Sequence, residues 1–237
     1  MRTLLLICAL TLPAAHAATC NTSSGDTRAR LLELYTSEGC SSCPPADRWL
    51  SQLPKRPDLI PLAFHVDYWD RLGWKDPFGQ AAFSQRQRTR NSGLGWVYTP
   101  QLMLDGMDFR SWSRGLPAPE HEPAQLVLDL SLSVAQDQID ATIVPRFTAA
   151  ARQRGTQLYL ALTENGLASH VAAGENASRT LRHDYVVRSL EGPFDARTTR
   201  HRFALRQAWR TQQLSVVAFV LDSSGQTLQA VAGACPR

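Results

Sequence analysis

The chain has 237 residues, with 25 Lys and Arg against 21 Asp and Glu, a formal charge of +4 and 43% hydrophobic residues. The charge is mild and the arginines are spread, and the cluster Arg86, Arg88, Arg90 reads as a solvated helix face, which argues against nucleic acid as a partner. The length suits one large or two small domains, and beyond the N-terminus no run is apolar enough to cross a membrane.

Residues 1–17 read as a secretory signal. Arg2 supplies the positive start, Leu4 to Leu10 a short apolar run, and Ala15-His16-Ala17 a small-x-small cleavage pattern. An uncleaved anchor is the alternative, and the run is too short for one. Export implies an oxidising compartment in which disulfides persist. Of five cysteines Cys8 leaves with the signal. Cys20, Cys40, Cys43 and Cys235 remain, and they allow three connectivities. The expected one pairs Cys40 with Cys43 as a redox bridge and Cys20 with Cys235 as a structural tie between the chain ends. A lipid anchor on Cys20 is a competing idea, but Ala17-Ala18-Thr19 lacks the usual lipoprotein residues.

Leu31 to Tyr35 reads as a strand, and Pro44 to Leu53 as a helix that begins directly after Cys40-Ser41-Ser42-Cys43. Two cysteines at this spacing, at the start of a helix that follows a strand, form the dithiol arrangement of thioredoxin-like proteins. The helix start is expected to offer unpaired N–H groups and its positive dipole end to a Cys40 thiolate. Cys43, one turn later, then attacks the mixed disulfide.

A second strand is predicted over Leu59–Asp67, a helix over Gly79–Arg90, and a strand over Gln101–Leu104. Asp105-Gly106 is a hairpin signal, with a return strand over Met107–Trp112. The Pro-rich stretch 115–123 marks a boundary. Beyond it Leu128, Leu130, Leu132 and Val134 alternate with polar residues, and Ile139, Ala141 and Ile143 resume the alternation. Further strands are predicted over Gln157–Thr163, Asp184–Ser189, His201–Leu205, Leu214–Leu221 and Gln226–Ala232. The expected fold is thus an α/β thioredoxin-like domain (18–120) followed by an all-β, Ig-like sandwich domain (121–237).

The block Glu33-Leu34-Tyr35-Thr36-Ser37-Glu38-Gly39-Cys40-Ser41-Ser42-Cys43-Pro44-Pro45-Ala46-Asp47 resembles the opening signature of the DUF1223 family, exported thioredoxin-like proteins of uncharacterised function. His65 to Asp70, Gly73 to Phe78, Gln85-Arg86-Gln87, Tyr98 to Gln101, Gly174 to Ala177 and His183 to Arg188 match further blocks. The resemblance implies a fold and a bacterial, periplasmic home, without a substrate. The wider thioredoxin resemblance implies a cis-proline facing the dithiol, which places Pro100, after Thr99, beside a bound substrate peptide. It also implies a buried acid on the strand before the dithiol. Glu33 is the candidate, either relaying a proton beneath Cys43 or facing solvent as an ordinary strand residue.

The function expected is thiol–disulfide exchange, with Cys40 as nucleophile, Cys43 as resolving thiol, and protein thiols, disulfides or a redox partner protein as partners. No cofactor is called for. Tyr68, Trp69 and Trp74 with Thr99 line the substrate groove in this reading, or are core aromatics. Two rival readings use the same residues. One is a non-catalytic interaction module with a static Cys40–Cys43 bridge. In it the polar block Glu175–Asp184 either covers the dithiol face or is a solvated connection. The other is a Cu(I)- or zinc-binding protein, for which the dithiol supplies only two ligands, with His65 and Asp67 on the neighbouring strand. His65 is otherwise a hydrogen-bonded core residue. No Gly-rich phosphate loop or Gly-x-Ser-x-Gly elbow is present, and Pro44 stands where a haem attachment needs His.

Overall fold

A computed structural model describes residues 18–118, 121–148 and 154–235 of the chain; the expected signal over 1–17 lies outside them. The first half contributes β1 (Ala18–Ser23), β2 (Arg30–Thr36), α1 (Pro44–Ser51), β3 (Leu59–His65), α2 (Ala81–Arg90), β4 (Gln101–Leu104) and β5 (Met107–Asp108). The second half contributes β6 (Leu126–Val134), β7 (Gln138–Phe147), β8 (Gln157–Glu164), β9 (Leu167–His170), β10 (Thr180–His183), β11 (Val186–Asp195), β12 (Thr199–Ala204), β13 (Leu214–Leu221) and β14 (Thr227–Gly233).

Eight strands form one mixed sheet in the order β14-β13-β8-β11-β3-β2-β4-β5. β2 and β3 run parallel with Leu34 opposite Ala63, and β11 continues the sheet parallel to β3, Val186 beside Ala63. Four more strands form an antiparallel sheet in the order β1-β6-β7-β12, and β9 and β10 pair as a separate hairpin. The alternation along β6 and β7 does what its period requires. Leu126, Leu128, Leu130, Ile139, Ala141 and Ile143 turn inward onto Leu158, Leu160 and Leu162 of β8 and Val216, Ala218 and Val220 of β13. The small sheet therefore lies over one end of the large sheet.

At the other end the two faces of the large sheet each carry a helix. Leu32 and Leu34 of β2, with Leu102 and Leu104, meet Ala46 and Leu50 of α1. The alternate residues Leu31 and Tyr35, with Leu62 and Phe64, meet Phe83 of α2. That second cluster runs on without a break into Ala161, Val187, Val217 and Phe219.

The expectation of an α/β thioredoxin-like domain followed by an all-β sandwich is thereby overturned. Among the described residues fourteen strands stand against two α-helices, of eight and ten residues. The largest sheet draws strands from both halves of the chain, and β1, from the N-terminal half, belongs to the small sheet. The physical reason is the edge of β3. Its unpaired backbone groups need partners, and β11 supplies them, with Ala63 N–H donating to Tyr185 O at 2.8 Å. Shorter differences have equally local causes. β5 ends at Asp108 because Phe109 and Trp112 turn to pack on the α1 cluster, Trp112 edge-on to Trp49 at 5.6 Å. β1 and the β9–β10 hairpin carry too little apolar alternation to be predicted.

Candidate functional site

The site begins where β2 ends. The turn after Thr36 is tied by Gly39 N–H to Ser37 Oγ at 3.1 Å and Cys40 N–H to Ser37 O at 3.1 Å. Gly39 is required by close approach, since a Cβ there would stand 2.9 Å from Trp69 Cβ. Cys43 is the N-cap of α1, and Pro44 and Pro45 occupy its first two positions. Their fixed φ suits a helix start, but they have no N–H. The next two, of Ala46 and Asp47, both donate to Cys43 O. The unpaired N–H groups expected at this helix start are therefore absent. The polar neighbour of Cys40 Sγ is instead the Ser42 hydroxyl at 3.4 Å, which also lies 3.4 Å from Thr99 O.

The structure contains two disulfides, Cys40–Cys43 with Cα atoms 5.4 Å apart and Cys20–Cys235 at 5.6 Å. The second joins β1 to the segment after β14. Cys40 and Cys43 are both 0% exposed, whereas Ser41 and Ser42 are exposed. The Thr99–Pro100 bond is cis. Among the predicted aromatics, Trp69 Nε1 donates to Thr99 Oγ1 at 2.7 Å, and Trp74 Nε1 donates to Glu38 Oε2 at 2.8 Å. Tyr68 OH instead donates to Gln87 Oε1 on α2. All three are half-buried, and the Tyr68 and Trp69 rings lie 6.3 Å apart.

Glu33 lies on the α2 face of β2, opposite the face that carries the dithiol helix. It is buried, 2.6 Å from Arg86 Nη2, and accepts from Tyr35 OH at 2.7 Å. Burial works against its charge, but Arg86, Arg90 and Tyr35 outweigh that and hold the carboxyl below its ordinary value. Neither position weighed for Glu33, beneath the dithiol or in solvent, is the one it takes.

Of the acids and bases near the dithiol, sequence reasoning singled out only His65, which is the hydrogen-bonded core residue expected as one alternative. His65 Nδ1 and Asp76 Oδ2 are 2.7 Å apart, and Asp76 also accepts from Glu38 N–H and Phe78 N–H, each at 2.8 Å. His183, at the end of β10, places Nε2 3.1 Å from Glu38 Oε1 and Nδ1 4.0 Å from Asp47 Oδ2. Thr36 Oγ1 donates to Asp47 at 3.2 Å. The His65 and His183 rings meet edge to face at 4.8 Å, and all five ionisable groups are buried. Burial opposes the His65 charge, but Asp76, Asp47 and Glu38 raise its pKa overall, and Asp76 is correspondingly held low. Asp47 goes the other way, because burial outweighs the pull of His183 and His65. Among the described residues no group of three or more His, Cys, Asp and Glu side chains is placed to hold a metal ion.

The polar block after β9 covers this layer. Asn176 donates to Glu38 O and Cys40 O, both at 2.9 Å, and Glu175 accepts from Ser41 N–H at 2.9 Å. Arg179 holds the Asn176 amide oxygen at 2.6 Å. The Asp47 signal was legible only as its spacing of four from Cys43. Of the two expectations for the polar block Glu175–Asp184, the structure shows the one that covers the dithiol face.

The fold and site together define a β-rich protein with a buried dithiol bridge capping a short helix over a carboxylate–histidine layer. The chain belongs to the DUF1223 family, proteins of unknown function, which matches residues 31–221. Protein AGR_C_4864 from Agrobacterium tumefaciens has a similar crystal structure, with a TM-score of 0.59, 22% identity, and coverage of 89% of this chain and 96% of that one. HBP35 of Porphyromonas gingivalis is also similar, with a TM-score of 0.65, 14% identity, and coverage of 89% of this chain and 76% of that one. At these identities the likeness concerns the fold alone. No curated protein matches the sequence. The two disulfides fit an exported protein. Among the described residues no helix is long and apolar enough to cross a membrane.

Proposed function

We propose that the protein is a thiol–disulfide oxidoreductase of the bacterial periplasm. The observation that carries this reading is the Cys40–Cys43 bridge at the start of α1, with the Ser42 hydroxyl between Cys40 Sγ and the Thr99 carbonyl. In the reduced protein the Cys40 thiolate attacks a substrate disulfide. A Cys40–substrate disulfide forms, and one substrate thiolate leaves. The Cys43 thiolate then attacks Cys40 Sγ, which closes the bridge and expels the second substrate thiolate. The dithiol loses two electrons, the substrate disulfide gains them, and the reverse sequence reduces the bridge. Ser42 can donate to the Cys40 thiolate, while Thr99 and Pro100 border the incoming chain. Because Cys40 is 0% exposed, a substrate reaches it when the Gly174–Arg179 strap lifts from the dithiol loop.

The same burial favours a second reading, a static bridge in an interaction module. The reduction potential of Cys40–Cys43, measured by thiol trapping in dithiothreitol and glutathione buffers, separates the two. A midpoint between about −120 and −270 mV supports exchange, and one below about −300 mV supports the static bridge.

A further inference from the structure

We propose that the cavity between α2 and β11 binds a small hydroxylated monocarboxylate, with its carboxylate on Arg86. The site lies on the sheet face opposite the dithiol helix and is independent of the exchange chemistry. Its volume is about 810 Å³, within the range of small-molecule sites. The walls come from α2, from the bulged part of β11 around Gly192 and from the 222–225 turn, and Tyr159 of β8 also lines it.

Charge is what points to an anion. Arg86 and Arg90 both line the cavity, with side chains 8% and 10% exposed. Among the described residues the carboxylate that meets them is Glu33, 2.6 Å from Arg86 Nη2 and 3.8 Å from Arg90 Nε. Tyr35 OH donates to the same carboxylate and adds no charge. Two guanidiniums thus share one negative charge, and one positive charge is left over. Arg86 Nε, Arg90 Nε and Arg90 Nη2 are buried with no hydrogen-bond partner among the described residues. A buried, uncompensated charge is costly. The rings of Phe64, Tyr159 and Phe219, 5.1 to 5.5 Å from the Arg86 guanidinium carbon, offset only part of that cost. Arg90 is engaged elsewhere. Its Nη1 donates to Gly225 O at 2.7 Å, and a Cβ on Gly106 would stand 2.6 Å from its Nη2. Arg86 is therefore the cation left to a ligand, and its planar fork suits a carboxylate.

Two acids on the cavity wall fix the rest of the ligand. One oxygen of each is taken. Glu191 Oε1 accepts from the Ser189 hydroxyl at 2.7 Å, and Asp222 Oδ1 accepts from the N–H groups of Ser224 and Gln226 at 2.8 and 2.9 Å. The other oxygen of each remains to accept a ligand hydroxyl. A polyphosphate or dicarboxylate would meet these two negative charges, so a single carboxylate is the better match. Thr89 and Ser92 add hydroxyls, and half-buried Tyr159 offers a ring to the ligand's carbon skeleton.

The test is calorimetric titration of the full chain, both bridges closed, at neutral pH with D-gluconate. Saturable binding at one site per chain is expected, with glucose, the uncharged counterpart, at least about tenfold weaker and glucarate, the dianion, no tighter. Arg86→Lys keeps a positive charge against Glu33 but loses the fork, and should weaken gluconate binding about tenfold or more. Gluconate that does not bind, that binds no better than glucose, or that binds Arg86→Lys as well as the wild type overturns the inference. So does glucarate that binds more tightly than gluconate. If Arg86→Lys does not fold, Thr89→Trp decides. Thr89 is exposed on α2, so the larger side chain is tolerated there and occupies cavity space. It should weaken gluconate binding about tenfold, and an unchanged affinity overturns the inference.

Discussion

Replacement of Glu33 by Gln separates a structural acid from a catalytic one. The substitution keeps the volume but leaves the Arg86 guanidinium buried against a neutral amide. Breaking a buried ion pair from one side costs about 3–5 kcal/mol. The lower end applies, because Arg86 also lies over the rings of Phe64 at 5.3 Å, Tyr159 at 5.1 Å and Phe219 at 5.5 Å, and these contacts survive. For a chain of this size a loss of about 3 kcal/mol lowers Tm by roughly 6–12 °C. Scanning calorimetry at neutral pH reads it directly. The folded pKa of Glu33 is depressed. Its contribution is therefore present above the unfolded carboxylate pKa and is lost as pH falls through the folded value. The wild-type and Glu33→Gln Tm values should converge on acidification. Closure of the Cys40–Cys43 bridge should stay within about twofold of wild type. A variant with wild-type Tm and slowed closure refutes the reasoning, since that is how a proton relay behaves.

The terminal disulfide closes a loop of sequence separation 215. Chain entropy gives about 5 kcal/mol for such a loop, and 2–4 kcal/mol is typical in practice. Cys20→Ala, Cys235→Ala and the double variant should lose the same amount in urea unfolding, because each removes one and the same bond; an unchanged midpoint in the double variant contradicts this. Asn176→Ala frees the carbonyls of Glu38 and Cys40 from the strap. It should cost about 1–3 kcal/mol and speed reduction of Cys40–Cys43 by dithiothreitol several-fold, and an unchanged reduction rate means that the strap does not gate the site. The His65 pKa is raised, so its stabilising pairing with Asp76 is full below 6.5 and fades as pH rises through the folded value. Asp76, held low, contributes above 3.8 and fades as pH falls through its folded value. Asp76→Asn should lower Tm and flatten its decline between pH 6 and 9, and a profile parallel to wild type rules the pairing out as the cause.

Several features were legible in the chain because they are local. The Cys-x-x-Cys before a Pro-Pro helix start, the leucine alternation of β6 and the limits of β4 and β13 each follow from a few consecutive residues. A period of two says which side chains share a face, and a proline says where a helix can begin. The same period does not say what each face meets. Glu33 reads equally well on either side of β2 until α2 brings Arg86 to one of them.

Tertiary structure decided the rest. The union of both chain halves in one sheet depends on which strand satisfies the open edge of β3, a hydrogen-bonding question with no trace in the sequence around Leu59–His65. The carboxylate–histidine layer near the dithiol depends on residues far apart in the chain. His183 meets Glu38 across 145 positions, and Asn176 meets Cys40 across 136. The sequence by itself determined the thiols, their spacing and the family. Only packing could determine which acids are buried near the dithiol and what they meet there, because burial and partners, rather than residue type, set what a carboxyl can do.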